Sequence, residues 1–322
     1  LSKTIAHASE LKGIFPAIFT PLKNDDPKCM NNSIDYEKAK QIIDDLIKVG
    51  VQGVVPMGTT GQSATVSPEQ HIDFIQFTLD YVDNRIPVIA GAGSNSTRES
   101  VETIQKIQRL SGELTFLCVT GYYNNPPQEG LTNHFTTLVE ETGANIVLYN
   151  VPARTNSYLT PESILKLAEH PRILGLKQAV DFQSPGQHRE DTLQILKHTS
   201  KDSFAMFTGE DDALATMLEL GGTGMITATG NIPEAAHMYL QIIQAFEQGN
   251  KSVADSLQKS LLPFVQACFI RKNPIPLGTL FNSPVYQPLI AVQDTEGGRG
   301  AHQQLMQFID DKASSLTKYH QM

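Results

Sequence analysis

The sequence predicts an α/β chain, a (β/α)8 TIM barrel with a C-terminal helical appendage, and three observations carry that prediction. Short apolar runs, rich in β-branched residues and bounded by Gly, Pro or Asn, recur eight times. Longer stretches with helical spacing separate them. A further helical pattern follows the last run, from residue 233 onward. Near-continuous apolarity suits parallel strands buried on both faces, and strand–helix alternation implies right-handed crossovers. Eight such units favour closure into a barrel over an open doubly wound sheet, which is the alternative.

The expected strands are residues 13–20, 51–57, 87–91, 114–120, 145–150, 173–177, 203–208 and 224–227. Between them, Ile42, Ile43, Leu46 and Ile47 mark one amphipathic helix. Ile72, Phe74, Ile75 and Leu79 mark a second, and Ile164, Leu165, Leu167 and Ala168 a third. Ser67-Pro68-Glu69-Gln70 offers a capping Ser, Pro in the first turn and an acid behind it; Thr160-Pro161-Glu162-Ser163 repeats the device. Gly50 and Gly112 are stop signals. The polar stretch 181–191 reads as a surface loop leading into a helix. Beyond the barrel, 234–247, 251–270, 275–281 and 300–314 read as helices. The expected organisation is a barrel with a short N-terminal extension over residues 1–232 and a helical region packed on it over 233–322.

Composition narrows the function. The chain has 322 residues, 40% hydrophobic, with a formal net charge of −9. That balance opposes nucleic-acid binding, which calls for a basic stripe. No apolar stretch is long enough to span a membrane, and no secretory signal is visible at the N-terminus. Cys29, Cys118 and Cys268 lie far apart, without the spacing of a zinc site or a disulfide framework. The nine histidines form no H-x-H or H-x-x-x-H pair, so neither metal nor other cofactor is expected. Gly91-Ala92-Gly93 starts like a dinucleotide loop but lacks its third glycine. A cytoplasmic protein acting on small molecules is the expectation.

Barrel enzymes carry their reacting groups at the C-terminal ends of strands. Lys177 ends the apolar run Ile173-Leu174-Gly175-Leu176. Desolvation there would favour the free amine that Schiff-base formation needs, although a structural lysine reaching to the barrel mouth fits the pattern equally well. Tyr149 and Tyr123 also end strands, where a phenol can pass protons or simply pack. Gly58-Thr59-Thr60-Gly61 offers hydroxyls and N–H groups ahead of a helix, as a carboxylate cradle or a plain turn. Arg154 follows a strand within a turn, as a carboxylate fork or a surface residue.

Together these pieces resemble the dihydrodipicolinate synthase family of pyruvate-dependent class I aldolases. The likeness runs from about Lys12 to Lys312. It rests on Gly58-Thr59-Thr60-Gly61, Gly121-Tyr122-Tyr123-Asn124, Tyr149-Asn150-Val151-Pro152-Ala153-Arg154-Thr155, Gly175-Leu176-Lys177 and Asn273-Pro274-Ile275-Pro276. The resemblance implies a lyase in which Lys177 forms an imine with pyruvate, whose enamine attacks L-aspartate 4-semialdehyde in lysine and diaminopimelate biosynthesis. It implies Tyr149 as acid and base, with a proton relay through Thr59 and Tyr123. Thr60 and the backbone at Ile226 would hold the pyruvate carboxylate, and Arg154 that of the semialdehyde. The residue matching Tyr123 enters the neighbouring subunit's site in this family, which implies a dimer, usually paired into a tetramer.

Arg154 favours a short acidic aldehyde over the long polyols of N-acetylneuraminate lyases and keto-deoxy-sugar-acid aldolases. Those lyases are the second reading, and a catalytically silent barrel binding a keto acid or lysine is the third. The chain departs from the family pattern at Gln62 and Gln178, where acids are usual, and at Gly121, where Pro is usual. The two amides are expected to alter the polar shell around the Lys177 amine. Feedback-inhibited members also bind lysine at the dimer interface. The matching positions are Ser63, Ala64, His71, Asn95, Glu99 and Tyr122, with Pro68 where many sensitive enzymes carry His. Glu99 would pair with the ligand's α-amino group.

Overall fold

A computed structural model describes residues 5–286, with Gln303 and Gln307 beyond them. In chain order a 3-10 turn, Ala8–Glu10, leads to β1 (Gly13–Pro16), α1 (Tyr36–Val49), α2 (Pro68–Val82), β2 (Ile89–Gly91), α3 (Thr97–Ser111) and β3 (Thr115–Val119). Then come α4 (Gln128–Thr142), β4 (Asn145–Asn150), α5 (Pro152–Thr155), α6 (Pro161–Ala168), β5 (Ile173–Gln178), α7 (Gln187–His198) and β6 (Ala205–Thr208). The series ends with α8 (Leu214–Leu220), β7 (Gly224–Thr227), α9 (Pro233–Glu247), α10 (Lys251–Cys268) and α11 (Ile275–Leu280). The helix expected at 300–314 lies outside the described residues except at Gln303 and Gln307, both helical and exposed.

The strands pair in parallel in the order β1-β7-β6-β5-β4-β3-β2. The second expected strand, 51–57, forms the seam that closes the barrel without a full ladder of its own. Toward β1, Val55 N–H donates to Pro16 O (2.8 Å) and Ile18 N–H to Val55 O (3.0 Å). Toward β2, Val54 N–H donates to Pro87 O (3.0 Å), Ile89 N–H to Val54 O (3.0 Å) and Gly91 N–H to Pro56 O (2.9 Å). Pro56 has no N–H to continue the pairing, and Met57 turns to φ 56°. At the same seam a Cβ on Gly91 would come within 2.0 Å of Met57 O, so only glycine allows the strand ends to meet.

Two apolar clusters follow from the alternation of strand side chains. One fills the barrel interior, with Phe15, Val55, Leu117, Val147, Tyr149, Phe207 and Ile226. The other lies between strands and helices and includes Ile43, Leu46, Phe74, Phe116, Leu148 and Leu176. The N-terminal extension belongs to the inner cluster. Ile5, Ala8 and Leu11 pack into it, and Ile5 O accepts from Thr115 Oγ1 (3.0 Å) and Asn145 Nδ2 (3.2 Å) at the starts of β3 and β4. This segment therefore covers the end of the barrel at which the strands start.

The helix signals act as expected. Ser67 and Gln70 form a reciprocal capping box at the head of α2, and Thr160 caps α6. Asp35 caps α1 by accepting from Lys38 N–H. The loop from 181 leads into α7. Helix α9 packs against α8, α1 and β1, the place of an eighth helix in the outer ring, and α10 packs on α9 and α8.

Candidate active site

Lys177 and Tyr149 face each other across the β4–β5 register. Both are nearly enclosed, at 7% and 8% exposure. The Lys177 Nζ stands 4.3 Å from the centroid of the Tyr149 ring. A desolvated ammonium over an aromatic face gains up to about 2 kcal/mol, which holds the amine against the phenol. The lysine stem is confined from the other side. A Cβ on Gly209 would come 2.9 Å from Lys177 Cε and 2.7 Å from Ala179 Cβ, so the turn after β6 is as close as a residue without a side chain permits.

Thr59 and Thr60 lie in the turn after the seam. Thr60 is buried, and its Oγ1 accepts from Asn273 Nδ2 (2.8 Å). Arg154, exposed on α5, donates from Nη2 to the Asn273 carbonyl (3.2 Å). Asn273 thus links the Thr59-Thr60 turn to the Arg154 guanidinium. Ile226 is buried on β7 opposite Phe15, and the backbone that follows is held by Asp211. That carboxylate accepts from Thr227 Oγ1 (2.9 Å), Ala228 N–H (3.1 Å) and Thr229 N–H (2.6 Å).

Tyr123 is the residue a single chain does not bring in. Its side chain is 94% exposed, and its backbone takes φ 74° in the loop before α4. No hydrogen bond joins it to Tyr149 or Thr59 among the described residues.

The electrostatics centre on the turn after β6. Burial pushes the Glu210 carboxyl up to about 7; repulsion from Asp211 and Asp212 adds to this, and the Lys177 charge opposes it. Burial also raises the Asp211 carboxyl, against the donors that pull it down.

The profile of the dihydrodipicolinate synthetase family matches residues 10–284. The chain belongs to that family. The 4-hydroxy-tetrahydrodipicolinate synthase of Thermodesulfovibrio yellowstonii is 38% identical over 270 residues, covering 83% of this chain and 86% of the relative. The dihydrodipicolinate synthase of Cyanidioschyzon merolae, solved with lysine bound, matches with a TM-score of 0.84 at 29% identity, covering 94% of this chain and 99% of that one. The enzyme of Acinetobacter baumannii, complexed with pyruvate, matches with a TM-score of 0.82 at 28% identity over the same shares.

Within this family the two departures at Gln62 and Gln178 were expected to change the surroundings of the lysine amine. The structure corrects that expectation. Gln178 alternates outward from Lys177 on β5; its Oε1 accepts from Asn150 Nδ2 (3.0 Å) and its Nε2 approaches Thr192 Oγ1 (3.5 Å). Gln62 donates from Nε2 to Thr20 O (3.0 Å) and accepts at Oε1 from Tyr286 N–H (3.0 Å). The second contact pattern needs one donor and one acceptor on the same side chain, which an amide supplies and a carboxylate does not. At Gly121 a Cβ would come 3.1 Å from Pro126 Cγ, so the loop before the Tyr pair is tight.

Of the residues matching the lysine site, Asn95, Glu99 and Tyr122 gather around one loop. Ser94 Oγ donates to Glu99 Oε2 (2.8 Å), and Asn95 Nδ2 donates to Tyr122 O (3.1 Å). His71 Nε2 contacts Gly91 O at 2.7 Å, and burial lowers its basicity. Ser63 and Ala64 directly follow the Thr59-Thr60 turn, with Ser63 N–H donating to Gly58 O (3.3 Å). The sequence marks Gly209, Glu210 and Asp211 only as the end of a strand and Asn273 only as part of a family motif, with no individual role. The signal available was three consecutive acids after a buried strand.

Proposed function

We propose that the protein is a 4-hydroxy-tetrahydrodipicolinate synthase that condenses pyruvate with L-aspartate 4-semialdehyde in lysine and diaminopimelate biosynthesis. The observation that carries the reading is the Lys177 amine, enclosed at the catalytic rim of the barrel 4.3 Å from the Tyr149 ring. The amine attacks C2 of pyruvate, and loss of water gives the imine. Loss of a C3 proton gives the enamine, which attacks the aldehyde carbon and forms the new C–C bond. The α-amino group then attacks C2, closes the ring and releases the Lys177 amine. Tyr149 moves protons in these steps, with Thr59 and the Tyr123 of a neighbouring subunit. Thr60 and the backbone at Ile226 hold the pyruvate carboxylate, and Arg154 holds that of the semialdehyde.

The near-complete exposure of Tyr123 supports a dimer in which the tip of each loop enters the partner's site, and we propose that dimers pair into a tetramer. Among the described residues no helix is long and apolar enough to cross a membrane. The three cysteines are free thiols, which supports the cytoplasmic location we propose.

Coupled turnover tests the assignment: pyruvate with aspartate semialdehyde is expected to react, and N-acetylneuraminate is not expected to be cleaved. Cleavage of the sugar acid without condensation would replace the synthase by a lyase. Lysine at millimolar concentration is expected to lower the initial rate through Glu99 and its neighbours; rates flat across that range would remove lysine from the account. Gly209→Ala is expected to slow pyruvate adduct formation by about tenfold or more, because the added methyl displaces the Lys177 stem. Unchanged adduct kinetics in that variant would show that the stem tolerates another path.

A further inference from the structure

The synthase reading leaves one charged group of its second substrate without a partner. Aspartate semialdehyde carries an α-carboxylate, an α-ammonium and an aldehyde. Arg154 answers the carboxylate, and the enamine on Lys177 consumes the aldehyde. An ammonium taken from water toward the buried Lys177 amine needs an anion to replace its water.

Four acids lie in the electrostatic neighbourhood of the turn after β6: Glu210, Asp211, Asp212 and Asp181. Three of them are committed. Asp211 is fully enclosed and accepts from Thr227, Ala228 and Thr229. Asp181 is exposed and accepts from the N–H groups of Gln183 and Ser184. Asp212 takes a hydrogen bond from the Gln183 side chain. Glu210 differs. Its backbone is pinned on both sides by Thr208, whose Oγ1 accepts from Glu210 N–H (2.9 Å) and donates to Glu210 O (3.1 Å). Its carboxylate is half-buried, and no side-chain hydrogen bond is made to it among the described residues. The turn that carries it touches the Lys177 stem through Gly209.

We propose that Glu210 is the specificity element for the α-ammonium of the amino-aldehyde, so that the second substrate is held between the Glu210 carboxylate and the Arg154 guanidinium. The inference rests on the synthase reading and deepens it. A fixed backbone and an uncommitted carboxylate, in the turn that adjoins the stem of the reacting lysine, are what such recognition requires. Burial, with the repulsion of Asp211 and Asp212, raises the Glu210 carboxyl to about 7; an arriving cation opposes both and favours the ionised form. An aldehyde lacking the amino group gains nothing from this contact.

The test uses the full-length protein and its Glu210→Gln and Glu210→Asp variants. Three quantities are measured: KM for aspartate semialdehyde, the inhibition constant of succinic semialdehyde (which lacks the amino group), and pyruvate adduct formation trapped with borohydride. Glu210→Gln is expected to raise KM for the amino-aldehyde by about ten- to a hundredfold, the range for losing a hydrogen bond to a charged group. The succinic semialdehyde constant and adduct formation are expected to stay as in wild type, and Glu210→Asp to recover part of the loss. An unchanged KM in Glu210→Gln would overturn the proposal. So would a parallel loss for the deamino analogue, which marks a structural role, or a loss of adduct formation, which marks an action on Lys177 itself. Wild-type protein that forms the pyruvate adduct yet condenses no aspartate semialdehyde would strike the synthase reading, a result visible before any Glu210 variant is made.

Discussion

Lys177→Ala is expected to lower condensation by more than about a thousandfold while the barrel still folds. Among the described residues no other lysine is buried, so the proposed imine has no other amine to form on at that depth. The side chain is 7% exposed and lies against the Tyr149 ring and Gly209. Its removal takes away a buried cation and leaves a small space beside a glycine, two effects on stability that oppose each other. Thermal melting followed by circular dichroism is therefore expected to change little, and a coupled assay to read background. Substantial turnover in a folded Lys177→Ala protein would refute the proposed chemistry.

Arg154→Ala is expected to separate the two half-reactions. KM for aspartate semialdehyde should rise by about a hundredfold, the cost of losing a charge-assisted fork, whereas pyruvate adduct formation should be untouched. The geometry supports that split: Arg154 is exposed on α5, while Lys177 lies inside the barrel. Its hydrogen bond from Nη2 to Asn273 O uses one N–H of the fork and leaves the others for a ligand. Arg154→Lys is expected to recover little, because a point charge does not reproduce the planar pair of donors. Steady-state kinetics together with borohydride labelling read both halves. Condensation unaffected in Arg154→Ala would withdraw the substrate handle.

Much of this was legible in the sequence because strand ends are legible. Buried parallel strands announce themselves by unbroken apolarity, so Lys177 and Tyr149 could be placed at the rim and on neighbouring strands before any coordinates. The family motifs then indicated which rim residues belong together. What pattern reasoning missed depends on direction and distance. The 51–57 run has the composition of a strand, but Pro56 and the turn at Met57 limit it to a seam. Gln62 adjoins the Gly58-Thr59-Thr60-Gly61 motif and Gln178 follows the lysine, and only the path of each side chain shows that one binds Thr20 and Tyr286 and the other Asn150. Asp211 reads as one acid in a row of three, and its enclosure by Thr227, Ala228 and Thr229 comes from a strand sixteen residues on. The N-terminal extension carries no motif, yet its backbone at Ile5 is bound by Thr115 and Asn145, more than a hundred residues away.

The central claim is that the enclosed amine of Lys177 forms an imine with pyruvate. Incubation of the wild-type protein with pyruvate and borohydride, followed by peptide mapping by mass spectrometry, tests it most directly. The account predicts one reduced pyruvate adduct per chain, located on Lys177. A protein that remains unlabelled, or that carries its adduct on another lysine, would contradict it.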